Sequence, residues 1–303
     1  MRKRVLITGI ASFTGPYIAQ ELSLNGYEVF GLSQLPFDIT YARSIEGNLL
    51  DANGLDAVID TCKPDLVIHL AAITFVPHGD VAEMYMTNIV GTRNLLSALS
   101  KKTSPPEKVL LASSANVYGN AVEGALDENT AFSPANDYAT SKVAMELMAG
   151  TWSKYLPISI TRPFNYTGVG QADKFLIPKL VTHFQQNKPE IELGNLNVIR
   201  DFSDVRFVSA AYRQLIENAL PGEAYNICSG QGCTLASIIA DLNDIAGYKI
   251  DVAVNPDFIR ENEVKELVGD NGKLLRLCPS LEAIPIQDTL RWMFENPSVY
   301  DSP

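Results

Sequence analysis

The 303-residue sequence predicts an α/β protein built on a doubly wound parallel sheet, with a smaller, discontinuous lobe towards the C-terminus. Over the first 160 residues, short β-branched runs alternate with longer helical patterns, which is typical of parallel strands joined by crossover helices. A glycine-rich turn follows the first of these strands. Hydrophobic residues make up 46% of the chain, enough for a large buried core. Ligands of such sheets bind beyond the carboxyl ends of the strands, so residues just after each strand are the functional candidates.

Hydrophobic periodicity assigns the individual elements. The predicted strands of the main sheet are residues 4–7, 28–32, 66–70, 108–112, 158–162 and 224–227. The predicted helices that cover this sheet are residues 15–25, 52–61, 82–99, 138–152 and 205–219. The smaller lobe is predicted from helices at 175–187, 235–246 and 286–296 and from strands at 192–194 and 251–254. We therefore divide the chain into a sheet domain of residues 1–165 plus about 196–227, and a lobe of about 166–195 plus 228–303.

Composition excludes several classes of function. The chain has 24 Lys and Arg against 35 Asp and Glu, a net charge of −11, which argues against a nucleic-acid-binding body. The longest apolar run, residues 66–76, is too short to cross a membrane. The four cysteines lack C-x-x-C spacing and the three histidines lack H-E-x-x-H, so we predict neither a metal site nor a disulfide framework. We expect a reduced, cytoplasmic protein without membrane or nucleic-acid partners.

The glycine-rich turn after the first strand predicts a phosphate-binding loop. Its spacing is G-x-x-G-x-x-G with a serine in the middle position, and a helix follows directly. Such a turn directs backbone N–H groups and a helix N-terminus at a pyrophosphate. A plain β–α turn is the alternative, and the position after the first strand favours a Rossmann-type dinucleotide site. The predicted contacts are Gly9, Ser12, Phe13 and Gly15.

The end of the second strand bears on the choice of cofactor. An enzyme selective for NAD would normally place an acidic residue here, on the ribose 2′-hydroxyl. Ser33 stands at this position and leaves room for a 2′-phosphate, although no arginine follows immediately. We therefore slightly favour NADP(H) over NAD(H).

Three polar residues at the predicted sheet edge have the chemistry of a reductase. Tyr138 and Lys142 are four residues apart on one face of a helix, and Ser114 follows a strand. A phenol has an ordinary pKa of about 10, and a nearby ammonium lowers it towards a working range. Ser114 would donate to a substrate carbonyl as charge develops on its oxygen. A buried Tyr with a solvent-reaching Lys is the alternative, and the serine together with the dinucleotide loop favours a catalytic set.

This combination resembles the extended short-chain dehydrogenase/reductase family over essentially the whole chain, and most closely its branch of GDP-4-dehydro-6-deoxy-D-mannose reductases. Further marks are His69-Leu70-Ala71-Ala72, Asn88 and Arg162-Pro163-Phe164-Asn165. The resemblance implies a dinucleotide-binding domain, a nucleotide-sugar-binding lobe and a water held by Asn88. It also implies a homodimer formed by the helices at 82–99 and 138–152 as a four-helix bundle. The further cofactor contacts that it implies are Asn48, Leu49, Leu70, Ala71, Ala72 and Arg162, besides Tyr138 and Lys142.

The GDP-sugar branch of the family is indicated by the segments 194–202 and 260–264. Arg200 and Arg260 can bind diphosphate oxygens through bidentate, charge-assisted contacts, and a surface ion pair is the alternative for each. Glu263 would accept hydrogen bonds from ribose hydroxyls. The substrate contacts expected from the resemblance are Thr74, Ser114, Asn116, Asn165, Lys179, Arg200, Arg260 and Glu263.

The residues around Ser114 restrict the reaction type that the resemblance implies. A 4,6-dehydratase of the family carries an acidic residue two positions after the serine, whereas Asn116 stands here, and an amide is no general base. The expected reaction is therefore NAD(P)H-dependent reduction of the C4 ketone of a GDP-4-keto-6-deoxyhexose, giving GDP-D-rhamnose or its C4 epimer. Two alternatives stay open: a nucleotide-sugar 4-epimerase, which needs the same groups, and a dinucleotide-sensing protein without catalysis.

Overall fold

The computed structural model describes residues 2–74, 80–119, 124–258 and 264–297. Its largest element is a seven-stranded sheet in which all paired strands are parallel. The strands are β1 (Arg4–Thr8), β2 (Glu28–Ser33), β3 (Arg43–Glu46), β4 (Leu66–His69), β5 (Lys108–Ala112), β6 (Ile158–Pro163) and β10 (Ala224–Ile227). Their order is β10-β6-β5-β4-β1-β2-β3, so the winding reverses between β1 and β4. The predicted doubly wound, Rossmann-type sheet is confirmed, and sheets of this kind bind their ligands at such a reversal.

Helices cover both faces of the sheet. The helices of the described residues, including three that belong to the smaller lobe, are α1 (Gly15–Leu24), α2 (Ala52–Cys62), α3 (Val81–Tyr85), α4 (Thr92–Ser100), α5 (Asp137–Gly150), α6 (Leu176–Gln185), α7 (Val205–Asn218), α8 (Leu235–Ala246), α9 (Gly272–Leu277) and α10 (Ile286–Glu295). Residues of α1, α7 and α9 share one buried apolar cluster with β1 and β4. Residues of α2, α4 and α5 form the cluster on the opposite face. Because every crossover helix buries an apolar stripe, the strand ends between the two layers remain available for ligands.

Two features of this domain differ from the sequence prediction. Strand β3 was not predicted, because Arg-Ser-Ile-Glu has a single apolar residue and the strand lies at the sheet edge. The predicted helix at 82–99 is interrupted by a π-helical turn at Met86–Gly91 between α3 and α4. Such turns occur frequently at functional sites. Asn88 lies buried within this one.

The smaller lobe contains two short sheets. One consists of β7 (Asn165–Thr167), β9 (Ile199–Asp204), β11 (Gly232–Thr234) and β13 (Glu266–Leu267), and the other of β8 (Glu190–Leu193) and β12 (Asp251–Val254). Helices α6, α8 and α10 supply most of its apolar core. In the described part of the chain, no helix combines the length and hydrophobicity that a bilayer crossing requires.

The predicted division into a sheet domain and a lobe stays a prediction, with two local corrections. Residues 199–204 belong to the small sheet, since β9 pairs with β7, β11 and β13 rather than with the main sheet. Segment 272–281 packs against the main sheet, where Leu274, Cys278 and Leu281 join the core cluster of β1 and α7. All three side chains are apolar and buried, which fixes this segment against the main sheet.

Candidate active site

The turn between β1 and α1 is shaped for close approach to an anion. Gly9 has φ +73°, and a Cβ there would lie 2.7 Å from the backbone of Ala71. A Cβ on Gly15 would lie 2.2 Å from a backbone oxygen of the loop itself. The Ser12 hydroxyl accepts from the Gly15 N–H at 3.3 Å, and the N-cap residue Thr14 makes no side-chain capping bond. The tight backbone of this loop and the positive end of the α1 dipole therefore fit the pyrophosphate of a dinucleotide.

The segment after β4 forms the opposite wall of this loop. Leu70 donates its N–H to the Thr8 carbonyl oxygen at 3.1 Å, and Ala71 lies against Gly9. The predicted cofactor residues Leu70, Ala71 and Ala72 therefore follow β4 directly beside the phosphate loop.

His69, the last residue of β4, is buried in a neutral hydrogen-bonded position. Its Nδ1 lies 2.6 Å from the Thr8 hydroxyl and its Nε2 2.8 Å from the Thr92 hydroxyl. Burial lowers the pKa of His69 from 6.5 to about 3, with a further contribution from the charge of Lys142. The imidazole thus serves to hold β1, β4 and α4 together at the base of the site.

This burial makes folding sensitive to acid. Between pH 6.5 and 3, His69 is protonated in the unfolded chain but stays neutral in the folded protein. Its contribution to the free energy of unfolding is therefore present above pH 6.5 and is lost as the pH falls. We expect a loss of about 1.4 kcal/mol per pH unit below 6.5 from this group. Urea unfolding of the wild type and of His69→Gln between pH 7 and 4 measures it: the wild type should lose stability faster. Parallel curves for the two proteins would contradict the assignment.

Tyr138 and Lys142 lie in the first turns of α5, which Asn136 caps by accepting from the Ala139 N–H at 2.9 Å. Both side chains are buried, with 7% and 4% of their residue surfaces exposed. Burial raises the pKa of Tyr138 to about 12, partly offset by a hydrogen bond with Ser114. Burial lowers the pKa of Lys142 to about 8.

We predicted that the Lys142 ammonium would bring the pKa of Tyr138 below its ordinary value, but in the protein alone burial raises that pKa. The Lys142 ammonium donates to the Ala112 carbonyl oxygen at 2.8 Å and lies 6.0 Å from the centre of the Tyr138 ring. Desolvation disfavours the charged form of both groups and outweighs their attraction. A phenol held in its protonated form is suited to give a proton rather than to take one.

Ser114 stands between the strand end and Tyr138. Its oxygen accepts from the backbone N–H of Asn116 at 3.2 Å and from the Asn116 side-chain amide at 3.1 Å. A hydroxyl oxygen has two lone pairs, so Ser114 has its own proton left to donate, and it lies close enough to Tyr138 to lower the pKa of that phenol. Asn116, predicted to contact substrate, thus acts on Ser114 and orients its hydroxyl.

Tyr166 is a residue of the site that the sequence analysis missed. It lies close enough to Tyr138 to raise the pKa of that phenol further. Its own hydroxyl lies 2.7 Å from the Thr14 hydroxyl, and its ring stacks on Phe13 with centres 6.0 Å apart. Its position directly after the Arg-Pro-Phe-Asn segment, at the carboxyl end of β6, could have identified it as a site residue from the sequence. Tyr166 connects the phosphate loop to the phenol of Tyr138, and Phe13 contributes through this stack.

Asn88 in the π-helical turn does not have the amide donors free for the water relay that we expected. Its Oδ1 accepts from the Ile73 N–H at 2.8 Å, and its Nδ2 donates to the Ile73 carbonyl oxygen at 3.1 Å and to the Ser141 hydroxyl at 2.9 Å. Ser141 in turn donates to the Tyr138 carbonyl oxygen at 2.7 Å. Asn88 therefore ties the segment after β4 to the helix that carries Tyr138.

Arg162, predicted as a cofactor contact, is engaged with protein groups instead. It forms a bidentate ion pair with Glu146, with Nε–Oε1 and Nη2–Oε2 distances of 3.1 and 2.7 Å. Its Nη1 donates to the Tyr118 hydroxyl and to the Glu128 carbonyl oxygen, both at 3.0 Å. Four of its five N–H donors are thus used, so we correct its role to a buried connection between β6, α5 and the segment after β5.

The expected adenosine side lies at the ends of β2 and β3. The Ser33 hydroxyl donates to the Leu35 carbonyl oxygen at 2.6 Å. The Asn48 side chain accepts from the Leu50 N–H at 2.9 Å, while Leu49 is buried in the core and presents its carbonyl to Asn94. These three predicted positions adjoin one another at the same sheet edge as the phosphate loop.

The predicted substrate contacts are spread over that edge and the small lobe. Thr74 follows β4 and is exposed, and Asn165 follows β6 as an exposed residue of β7. Lys179 on α6 has its Nζ 5.6 Å from the centre of the Phe258 ring. Arg200 on β9 donates to the Ile199 carbonyl oxygen at 2.8 Å. Arg260 and Glu263 lie outside the described residues.

A phosphate loop after the first strand of a doubly wound sheet, next to a buried Ser–Tyr–Lys set, defines a pyridine-nucleotide-dependent protein of the Rossmann class. The NAD dependent epimerase/dehydratase family matches residues 5–228. The chain belongs to this family, the extended short-chain dehydrogenases/reductases, which confirms the resemblance inferred from the sequence.

Individual relatives cover nearly the whole chain. A GDP-6-deoxy-D-talose 4-dehydrogenase of Aggregatibacter actinomycetemcomitans is 33% identical over 278 residues, covering 90% of each chain. A GDP-6-deoxy-D-mannose reductase of Pseudomonas aeruginosa is 32% identical over 302 residues, covering 96% of each. The structure of RMD from Pseudomonas aeruginosa complexed with NADPH has a TM-score of 0.83 and is 30% identical in sequence. The structure of a candidate epimerase from Burkholderia cenocepacia has a TM-score of 0.92 and is 49% identical. Each comparison covers 97% of both chains.

Proposed function

We propose that the protein reduces the C4 ketone of a GDP-4-keto-6-deoxyhexose with NAD(P)H, giving GDP-D-rhamnose or its C4 epimer. The observation that carries the proposal is the buried Tyr138, one helical turn from Lys142 and close enough to Ser114 for that hydroxyl to affect its pKa. The choice of substrate is supported by the names of the two relatives that are 33% and 32% identical over 90% and 96% of the chain. The reduced and cytoplasmic state expected from the sequence stays a prediction.

The chain's own residues account for the proton and the developing charge. When bound, a reduced nicotinamide supplies the hydride to C4, and the carbonyl becomes an alkoxide that needs one proton. Tyr138 donates that proton to the C4 oxygen, and Ser114 donates a hydrogen bond to the same atom. Lys142 then stabilises the Tyr138 phenolate by its charge until water restores the proton. With Asn116 orienting Ser114, no further acid or base is needed.

The same assignment predicts an alkaline limit to the reduction. The pKa of Lys142 is about 8, so above that pH the ammonium that stabilises the Tyr138 phenolate is lost. We expect kcat/KM to fall by about tenfold per pH unit above pH 8, since this constant reports ionisations of the free enzyme. A pH profile from 6.5 to 10 measures it, and Lys142→Arg should move the fall to higher pH. A kcat/KM that stays constant to pH 10 would remove Lys142 from the mechanism.

The substrate residues remain part of the proposal. Thr74 and Asn165, which follow β4 and β6, are proposed to contact the hexose and the diphosphate at the edge that carries Ser114. Lys179 and Arg200, on α6 and β9 of the small lobe, are proposed to bind the nucleotide, together with Arg260 and Glu263. Their residue types support this proposal, because cationic side chains bind diphosphate oxygens with charge-assisted hydrogen bonds.

A direct assay tests the proposed function. The protein is mixed with NADH or NADPH and the 4-keto product of a GDP-mannose 4,6-dehydratase, and the absorbance of the reduced nicotinamide is followed. Stoichiometric loss of absorbance with formation of a GDP-6-deoxyhexose is the expected result. Interconversion of two sugars without net cofactor oxidation would instead identify a 4-epimerase. Binding of cofactor without either reaction would contradict catalysis.

We also propose that two copies associate through α5 and the helical segment at 81–100. Three apolar side chains on these elements are exposed: Val81 by 41%, Met86 by 46% and Leu147 by 64%. Burying them between two copies would form a four-helix bundle.

The oligomeric state tests this association. We expect light scattering after size exclusion to give a dimer for the wild type and a monomer for Leu147→Glu, because a carboxylate would be buried without a partner. Leu220→Glu is the matched control, since Leu220 is 60% exposed and lies beyond both elements. A monomeric wild type, or dimers for both variants, would contradict the bundle.

A further inference from the structure

The ends of β2 and β3 place a carboxylate beside the predicted ribose position. Ser33 and Glu46 are register partners in these parallel strands. Their preceding neighbours, Leu32 and Ile45, both pack into the apolar cluster of α2, α4 and α5. Because side chains alternate along a strand, Ser33 and Glu46 share the opposite face. Gly31 on that face lies against Ile10 of the phosphate loop, so Glu46 stands on the side of the sheet where the loop lies.

The Ser33 hydroxyl is arranged to accept rather than to donate. Its proton is given to the Leu35 carbonyl oxygen at 2.6 Å, and its residue is buried. A phosphate monoester offers acceptor oxygens and needs donors, whereas a free ribose hydroxyl can donate. Ser33 therefore suits an unphosphorylated ribose better than a 2′-phosphate.

The charges around this position oppose a 2′-phosphate as well. Residues 34–42 contain no Lys or Arg. The next cation along the chain is Arg43, whose register partner is Phe30, three residues before Ser33 on β2. The Nη2 atom of Arg43 lies 3.1 Å from a carboxylate oxygen of Glu28. Neighbouring strands are about 4.8 Å apart, so a 2′-phosphate bound at Ser33 would approach the Glu46 carboxylate. Residues 34–42 would supply no cation to separate the two negative charges.

We propose that Glu46 supplies, from β3, the carboxylate that accepts the 2′-hydroxyl of the adenosine ribose, and that the protein prefers NAD(H) to NADP(H). The acidic residue expected at the end of β2 is thus replaced by one on the neighbouring strand, which reverses the preference inferred from Ser33 in the sequence. This inference rests on the proposed use of a pyridine nucleotide, but not on the sugar substrate.

Equilibrium binding tests the proposal without any turnover. Dissociation constants for NAD⁺ and NADP⁺ are measured by calorimetry on the full chain, for the wild type, Glu46→Gln and the control Asp38→Asn. Asp38 is an exposed carboxylate in the segment between β2 and β3, and it is not paired with Ser33. Removing the Glu46 charge relieves its repulsion of the 2′-phosphate. At this range and in a water-like dielectric, that repulsion changes the dissociation constant for NADP⁺ by about tenfold.

We expect the wild type to bind NAD⁺ at least tenfold more tightly than NADP⁺, Glu46→Gln to shift that ratio by about tenfold towards NADP⁺, and Asp38→Asn to leave it unchanged. Tighter binding of NADP⁺ by the wild type, or an equal shift in both variants, would overturn the role of Glu46 while leaving the proposed reduction intact. Binding of neither nucleotide would overturn the proposed function itself.

Discussion

Tyr138→Phe is expected to lower kcat by about two to four orders of magnitude, the range that a positioned general acid contributes. The buried phenol next to Ser114 is the proposed proton donor, and phenylalanine keeps its ring while removing the proton. Dissociation constants for the cofactor should change little, because the variant removes an interaction made in the transition state rather than in the ground state. Steady-state kinetics and cofactor titration on the same preparation measure both quantities.

Tyr166→Phe is the matched control for this variant. It also removes a phenol hydroxyl, but one that bonds Thr14 of the phosphate loop, so Tyr138 keeps its proton. We expect a higher cofactor dissociation constant with a far smaller loss in kcat. If Tyr138→Phe turned over at a rate close to the wild type, or if both variants lost kcat equally, Tyr138 would not be the acid.

Arg162→Ala is expected to destabilise the fold by about 3–5 kcal/mol, because it leaves the Glu146 carboxylate buried without its partner. Both side chains of the pair are 7% exposed, and Arg162 also bonds the Tyr118 hydroxyl and the Glu128 carbonyl. The free energy of unfolding in urea measures the loss.

Two further variants separate the cost of leaving a buried charge unpaired from the cost of losing any arginine side chain. Arg162→Met combined with Glu146→Leu should recover much of the stability, since it removes both charges together. Arg213→Ala should cost about 1 kcal/mol or less, because its pair with Glu21 is more exposed. An Arg162→Ala variant no less stable than Arg213→Ala would return Arg162 to the cofactor role expected from its sequence motif.

The sheet and the phosphate loop were predictable because their signals are local. Buried strands such as Val5-Leu6-Ile7 are short apolar runs, and the glycines that follow are required by backbone geometry at Gly9 and Gly15. Strand β9 was not predicted, and its residues were placed in the sheet domain, for a different reason. The buried carboxylate of Asp201, which accepts from Ser229, makes the strand polar, and its partners lie far along the chain.

The positions of the proposed catalytic residues were predictable from spacing, but their electrostatics were not. A separation of four residues on a helix brings Tyr138 and Lys142 together, yet it contains no information on how much water surrounds them. Burial then decides the direction of both pKa values. Arg162 shows the same limit, because its partner Glu146 lies on another element and its pairing is visible only after folding.

The most direct test of the proposed reaction is the fate of a deuterium label on the transferred position of NADH or NADPH. The GDP-4-keto-6-deoxyhexose is incubated with the labelled cofactor and the product sugar is analysed by NMR and mass spectrometry. We predict one deuterium per sugar, located at C4, with one equivalent of cofactor oxidised. An unlabelled sugar product, or a label at another carbon, would contradict hydride delivery to a ketone that Tyr138 protonates.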